Sequence, residues 1–381
     1  MTVLEHRPGP MARVGGRLLR SRLATALATP HGVDSYLTHF NPMWAAHEVR
    51  ARIESIHRET DTAGAPVATI TLRPTSTWRG HRAGQHVLVG ADLPGSAKRV
   101  TRAFTISSAA SVPGETITLT VRSNAEGQLS SYLVERAQPG EILHLGQAQG
   151  EFTLDESPAT PTNNHLLFIT GGSGITPAMS MVRTLLRDGY DGHAGRKVTF
   201  VHYARSPEDQ IFAEELQQIA DADNGVAVHL HHGDLFSEFG LRRIVGDFHD
   251  LDTYLCGPAG LVELVTEAYT RDGVLSPKLR MEFFKPAVLR AASTSDEPEG
   301  EVTFTRSGAS VANDGGTLLE QAEALGLNPE SGCRMGICFS CARTKSSGTV
   351  RNVLTGEESS LHDEEIRLCV SAAAGDCHID L

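Results

Sequence analysis

The 381-residue chain predicts three folded units in series: an antiparallel β-barrel, a parallel α/β sheet and a small α+β domain. Three observations carry this. Between residues 49 and 121, short segments alternate apolar and polar residues, as half-buried antiparallel strands do. From residue 165 to about 275, wholly apolar strands alternate with helical stretches, as in a parallel sheet covered on both faces. After a small, polar, charged stretch at 291–300, the chain carries Cys333, Cys338 and Cys341 in one run and Cys369 further on. The expected boundaries are 1–46 for a partly helical N-terminal extension, 47–156 for the barrel, 157–290 for the α/β domain, 291–300 for a linker and 301–381 for the last domain.

The barrel strands are read at Val49–Ile53, Ala68–Leu72, Gln85–Val89 and Thr116–Val121. Between the last two lies Arg102-Ala-Phe-Thr-Ile-Ser-Ser108, and after them Gly127-Gln-Leu-Ser-Ser-Tyr-Leu133, which reads as a helix start. Either segment taken alone is ordinary structure.

In the α/β region, the apolar strand His165–Thr170 runs into Gly171-Gly-Ser-Gly-Ile-Thr-Pro177 and then a helical stretch, Ala178–Leu186. Strand, glycine turn and helix make a phosphate cradle: glycines let backbone N–H groups approach, and the helix N-terminus favours negative charge. Pro177 suits the first helical turn, where its missing N–H costs nothing. The spacing departs from G-x-G-x-x-G, with proline at the last position. Lys197–Tyr203 is a second strand, followed by Arg205 and Ser206. A guanidinium there can pair with a 2′-phosphate, which favours NADPH over NADH. Asp252–Cys256 is a later strand, ending in Cys256-Gly257-Pro258.

The last domain opens with an alternating strand at Glu301–Arg306, with Val302 and Phe304 on one face. Thr317-x-x-Glu320 is a capping box for a short helix whose Leu318, Ala322 and Leu325 share a face. Further strands are expected over Ile366–Ile379. The C-x4-C-x2-C run with a distant fourth cysteine is the plant-type ligand spacing for a [2Fe-2S] cluster. Soft thiolates suit such a cluster or zinc. The four-residue gap and the lack of a paired-histidine motif argue against zinc, and six cysteines are too sparse for a disulfide framework. Cys377 lies outside the pattern and reads as a core thiol. The acidic residues Glu357, Glu358, Asp363, Glu364 and Glu365 read as solvated surface or as a docking face.

From about residue 47 onward, these motifs in this order resemble the ferredoxin–NADP reductase superfamily, and the C-terminal part resembles its plant-type ferredoxin domain, a β-grasp fold. The resemblance implies FAD, NADPH or NADH, and a [2Fe-2S] cluster as cofactors. It implies that Arg102 holds a flavin phosphate, Phe104 stacks, and the Thr105 hydroxyl faces flavin N5. Phe104 and Thr105 stand where the family has tyrosine and serine. Gly127 and Ser130 then meet the flavin pyrophosphate. Gly171, Gly172 and Gly174 cradle the pyridine nucleotide, and Thr176, Cys256, Gly257 and Pro258 adjoin its nicotinamide. Cys333, Cys338, Cys341 and Cys369 ligate the cluster. The resemblance further implies a reductase passing electrons to an external iron-containing oxygenase or desaturase.

The formal net charge of −12 argues against general nucleic-acid binding. No apolar run approaches the ~18 residues of a membrane span, no signal peptide is read, and unpaired cysteines with a cluster suit a reducing cytoplasm; the expectation is a monomer, in the cytoplasm or peripheral at the membrane. His229, His231 and His232 lack a matching carboxylate set and read as a strand-end cluster. In the extension, Arg13, Arg17, Arg20 and Arg22 interleave with Val14, Leu18, Leu19 and Leu23. This basic amphipathic stretch resembles the leader of actinobacterial reductases that serve membrane-bound acyl desaturases. It suits a membrane surface or a membrane partner, or else packs on its own barrel.

Overall fold

The computed structural model describes residues 33–63, 65–94, 99–124, 127–158, 160, 164–189, 197–282, 299–331, 334, 336, 339–354 and 356–381. The basic stretch at 13–23, residues 291–298 of the linker, Cys333 and Cys338 lie outside these residues. The chain divides into two compact units, Met1–Glu282 and Phe283–Leu381.

The first unit begins with helix α1 (Val33–Phe40). Its Asp34 accepts hydrogen bonds from the backbone N–H groups of Ala46, His47 and Glu48, which latches the helix to the chain just before the barrel. Val33, Leu37 and Ala46 form a small apolar cluster beneath it.

Strands β1 (Val49–Thr60), β2 (Val67–Pro74), β3 (His86–Ala91), β4 (Val100–Thr105), β5 (Ile117–Arg122) and β6 (Ile142–Leu145) make an antiparallel sheet in the order β4-β3-β6-β1-β2-β5. An antiparallel bridge between Ile106 and Leu119 joins the chain just past β4 to β5, so the sheet curls onto itself. Alternation places Ile53, Ile70, Leu72, Val87, Val89, Ile117 and Leu119 inside. Helix α2 (Gln128–Glu135) adds Leu129 and Leu133 to this core.

His81 is buried against the barrel, its ring nitrogens meeting Ser111 Oγ at 2.7 Å and the Ser108 carbonyl at 3.4 Å. Burial lowers its pKa to about 4, against the pull of the Ser108 carbonyl. The folded state therefore holds the neutral ring. That contribution is complete above the ordinary value of about 6.5 and is lost as pH falls from there towards 4, up to about 3 kcal/mol. Urea denaturation at pH 7 and pH 4.5 should show this slope, and His81→Gln should flatten it.

The second sheet of this unit contains β7 (His165–Gly171), β8 (Lys197–Ala204), β9 (Val226–His232), β10 (Asp252–Cys256) and, beyond the small hairpin β11 (Thr270–Arg271) and β12 (Val274–Leu275), β13 (Leu279–Glu282). Its order is β13-β10-β7-β8-β9, with every pair parallel. Helices α3 (Ile175–Arg187), α4 (Ala213–Asp221), α5 (Glu238–Val245) and α6 (Ala259–Tyr269) connect it. The chain winds outward from β7 through β8 to β9, then returns to place β10 on the other side of β7. Such a reversal opens a crevice at the C-terminal ends of the two adjoining strands.

In the second unit, β14 (Glu301–Phe304), β15 (Ala309–Ala312), helix α7 (Leu318–Ala324), β16 (Ala342–Asn352), β17 (Glu358–Ser359), β18 (Glu364–Arg367) and β19 (Ser371–Ile379) follow in order. The sheet runs β15-β14-β19-β16-β17, with β18 also on β16 and only β14–β19 parallel. The Thr317–Glu320 capping box forms, and Leu318 and Ala322 are buried as expected. Leu325 is not on that buried face: it falls past the helix end and is 36% exposed. Cys377 is fully buried in the core, where desolvation raises its pKa to about 11.

Lys345 is a charge inside this core. Its Nζ donates to the carbonyls of Gly348, Ser359 and Leu361 and lies 3.4 Å from Glu364. One ammonium thus ties the middle of β16 to β17 and the β17–β18 connection. Lys345→Met would leave three acceptors and a carboxylate uncompensated. It should cost about 3 kcal/mol of stability, read from denaturation of the full chain followed by loss of visible cluster absorbance.

No helix among the described residues is long and apolar enough to cross a membrane.

Candidate functional site

At the crevice, the glycine turn Gly172–Gly174 leads directly into α3. A Cβ on Gly174 would stand 2.3 Å from the Cys256 carbonyl oxygen and 2.7 Å from Gly257 Cα. The two loops thus pack backbone to backbone, which only glycine permits. Strand register sets Thr170 beside Cys256 and Cys256 beside Glu282. Thr176 lies in the first turn of α3, buried, its hydroxyl donating to the Ser173 carbonyl at 3.1 Å. Cys256 is fully buried at the end of β10, and desolvation raises its pKa well above the usual thiol value, so the group is a neutral thiol. Gly257 and Pro258 follow it, with Pro258 capping α6.

Helix α3 is also pinned to the barrel. Ser180 donates to the Ser108 carbonyl at 2.7 Å and accepts from the Gly84 N–H, and Arg183 donates to the Ser107 carbonyl at 2.6 Å. These contacts hold the glycine turn against the loop just beyond Thr105. Strand β4, which carries Arg102, Phe104 and Thr105, is outermost in its sheet and half-buried along most of its length. Thr105 is buried, Arg102 bonds the Thr101 carbonyl, and Gly127 is the N-cap of α2, with Ser130 bonding the Gly127 carbonyl.

Four residues that sequence reasoning did not assign to the site converge here. His86 is cross-strand from Thr105 and lies 3.8 Å from Glu282, which is itself the register partner of Cys256. Among the described residues, both ring nitrogens of His86 and Oε2 of Glu282 are buried without a hydrogen-bond partner. Burial raises the pKa of Glu282 against the opposing pull of His86. Arg122, at the end of β5, reaches to 3.6 Å from the Cβ position of Gly172. Burial lowers its pKa, the charge of Arg205 lowers it further, and Asp209 opposes both. Asp209 pairs with Arg205 at the end of β8. Nothing local marks His86, Glu282 or Arg122, although His86 lies in a strand already read, whereas Asp209 stands only four residues past Arg205. Beside them, His202 is fully buried with Nδ1 2.8 Å from Thr170 Oγ1, and burial takes its pKa to about 3. His229, His231 and His232 lie along β9, half-buried, with His231 stacked on Tyr203.

In the second unit, Cys369 sits on a short turn after β18, and Cys341 immediately precedes β16. Both are buried. The Gly336 N–H donates to Cys369 Sγ at 3.2 Å. A hydrogen bond from Cys369 lowers the Cys341 pKa to about 6, with burial opposing. Arg334 and Phe339 both take left-handed backbone conformations, φ +58° and +57°. Phe339 is 58% exposed, with Arg367 over its ring. Among the described residues no group of three metal-ligating side chains forms.

Family models match all three regions: an oxidoreductase FAD-binding domain at 65–154, an oxidoreductase NAD-binding domain at 168–267 and a 2Fe-2S iron-sulfur cluster binding domain at 302–374. An NADPH oxidoreductase of Mycobacterium tuberculosis is 35% identical over 367 residues, covering 94% of this chain and 91% of that protein. The chain belongs to the ferredoxin–NADP reductase superfamily. The glycine betaine monooxygenase reductase subunit of Pseudomonas aeruginosa is 30% identical to this reductase over 326 residues, 78% of this chain and 86% of its own. The solved phthalate dioxygenase reductase shares the fold, with a TM-score of 0.57 at 22% identity, over 87% of this chain and 97% of its own.

The reductase is an NAD(P)H-dependent electron-transfer oxidoreductase with FAD and [2Fe-2S] cofactors. Its own geometry fits these groups. The glycine cradle has no room for a Cβ at Gly174, orphaned polar atoms of His86 and Glu282 sit between barrel and crevice, and Cys341 and Cys369 form an adjacent thiol pair with a backbone donor.

Proposed function

We propose that this reductase draws electrons from NADPH and delivers them singly to an external iron-containing protein, a membrane di-iron desaturase or alkane hydroxylase. The carrying observation is the convergence of Gly171–Gly174, Thr176 and Cys256 at one crevice, in the same compact unit as Arg102–Thr105. When bound, FAD takes a hydride and the cluster moves single electrons, which together turn a two-electron donor into a one-electron supply.

On this reading, Arg102 holds a flavin phosphate, Phe104 stacks, Thr105 points its hydroxyl at the flavin, and Gly127 and Ser130 meet the pyrophosphate. Gly171, Gly172 and Gly174 admit the pyridine nucleotide, and Thr176 with Cys256, Gly257 and Pro258 positions its nicotinamide. Arg205 and Ser206 receive the 2′-phosphate. Cys333, Cys338, Cys341 and Cys369 hold the cluster. The preference for NADPH is supported by Arg205, exposed at the end of β8, and by the name of the mycobacterial relative.

The desaturase reading is supported by the extension. The mycobacterial alignment reaches into it, and its described part exposes Phe40 (82%) and Trp44 (54%). A second reading, in which the acceptor is a soluble Rieske-type oxygenase for steroids or aromatic rings, is supported by the name of the Pseudomonas relative, the reductase subunit of a monooxygenase.

Anaerobic titration with NADPH and with NADH, followed in the visible spectrum, tests the cofactor chain; a colourless protein would sink it. Reconstitution with a membrane desaturase, an alkane hydroxylase and a Rieske oxygenase separates the acceptors by turnover.

A further inference from the structure

The place proposed for the 2′-phosphate has a carboxylate built into it. Asp209 follows Arg205 by four residues, at the end of the short turn Pro207–Asp209. It is 5% exposed, and both of its oxygens are engaged. Oδ2 lies 3.0 Å from Arg205 Nε, and Oδ1 accepts from Arg205 Nη2 at 3.1 Å. Oδ1 also accepts from Thr62 Oγ1 at 2.7 Å, a residue of the β1–β2 connection in the barrel. The carboxylate is therefore clamped by the flavin domain while it grips one edge of the guanidinium. The Arg205 side chain as a whole is 66% exposed. Burial works against the charge of Asp209, but the hydrogen bonds from Thr62 and Arg205, with the charges of Arg205 and Arg122, hold its pKa below the ordinary aspartate value. Asp209 is thus an anion at neutral pH.

We infer that Asp209 is a specificity-determining residue for the pyridine nucleotide, one that cancels the charge of Arg205 and so holds down the preference for NADPH over NADH. This rests on the reading of Arg205 as the 2′-phosphate contact. A 2′-phosphate carries up to two negative charges, whereas the 2′-hydroxyl of NADH carries none. A phosphate on the open edge of Arg205 meets an ion pair rather than a free cation, with a fixed carboxylate one guanidinium away. Like charge at that range weakens binding of NADPH alone. Thr62 keeps the carboxylate from swinging aside, so the barrel takes part in choosing the nucleotide.

The test is equilibrium binding of NADP+ and of NAD+ to the full-length holoenzyme and its variants by calorimetry, with Tm as a check on folding. Asp209→Asn should raise the preference for NADP+ about tenfold by tightening NADP+ and leaving NAD+ unchanged. Asp209→Ser should move it the same way, and serves if the asparagine variant does not fold. Arg205→Ala should lower the preference. Parallel weakening of both nucleotides in the Asp209 variants, the signature of a purely structural role, would overturn the inference. So would an unmoved ratio in those variants when Arg205→Ala lowers it, a result that spares the Arg205 reading. An unmoved ratio in Arg205→Ala would sink that reading and the inference together.

Discussion

Cys369→Ser should abolish delivery of single electrons to an external iron protein while sparing NADPH-driven reduction of ferricyanide. Cys369 is buried on a turn between β18 and β19, and its sulfur already receives the Gly336 N–H. A serine oxygen is a harder and far less acidic donor than the thiol, and it is a poor ligand for iron–sulfur chemistry. The expected drop in electron delivery is at least about a hundredfold, with bleaching of the visible absorbance that belongs to the cluster. The crevice and the flavin barrel lie in the other compact unit and should bind nucleotide as before. Cys377→Ser is the control. That thiol is equally buried, but on the core face of β19 and outside the ligand pattern, so its loss should lower stability and leave the spectrum in place. Parallel loss of ferricyanide reduction in Cys369→Ser would show that the substitution damages more than the electron exit.

Gly174→Ala should disable the nucleotide crevice. The added methyl would meet the Cys256 carbonyl at 2.3 Å, and a backbone carbonyl cannot rotate away as a flexible side chain can. Either the turn or the end of β10 must move, and both border the same crevice. Overpacking of this kind costs about 1–3 kcal/mol. A displacement of about 1 Å at a positioning loop lowers kcat/KM about a hundredfold. Stopped-flow reduction by NADPH and thermal denaturation would measure the two effects. Gly260→Ala, on α6 with open space around its Cβ position, should be neutral or slightly stabilising and marks the baseline for glycine replacement.

The strands of the barrel were legible because half-burial writes itself into alternation: Val87 and Val89 face in, and Leu88 between them does not. The strand before the glycine turn was legible for the opposite reason, since burial on both faces leaves β7 almost wholly apolar. Lys345 shows where such reading stops. A lysine in a strand is expected to face solvent, yet three carbonyls, from β16 itself, from β17 and from the β17–β18 connection, capture it inside. Leu325 shows the converse. Helical periodicity placed it on the buried face, but the helix ends at Ala324 and the residue turns outward.

The site divides along the same line. The cysteine spacing, the glycine turn and the Arg102–Thr105 segment are short stretches, each proposed to supply several groups to one ligand. Motifs of this kind lie in residue order, and the sequence, through the family resemblance those motifs carry together, pointed to the three cofactors and their succession along the chain. His86 against Glu282, Arg122 against Gly172, and Thr62 against Asp209 against Arg205 are contacts between segments up to about two hundred residues apart. They depend on strand register, on the return of β10 to the far side of β7, and on α3 seating against the barrel. Local propensity carries no trace of such partners, because each side chain alone suits an ordinary strand or turn. Only the folded chain decided that a carboxylate held by the barrel would face the guanidinium proposed to meet the nucleotide.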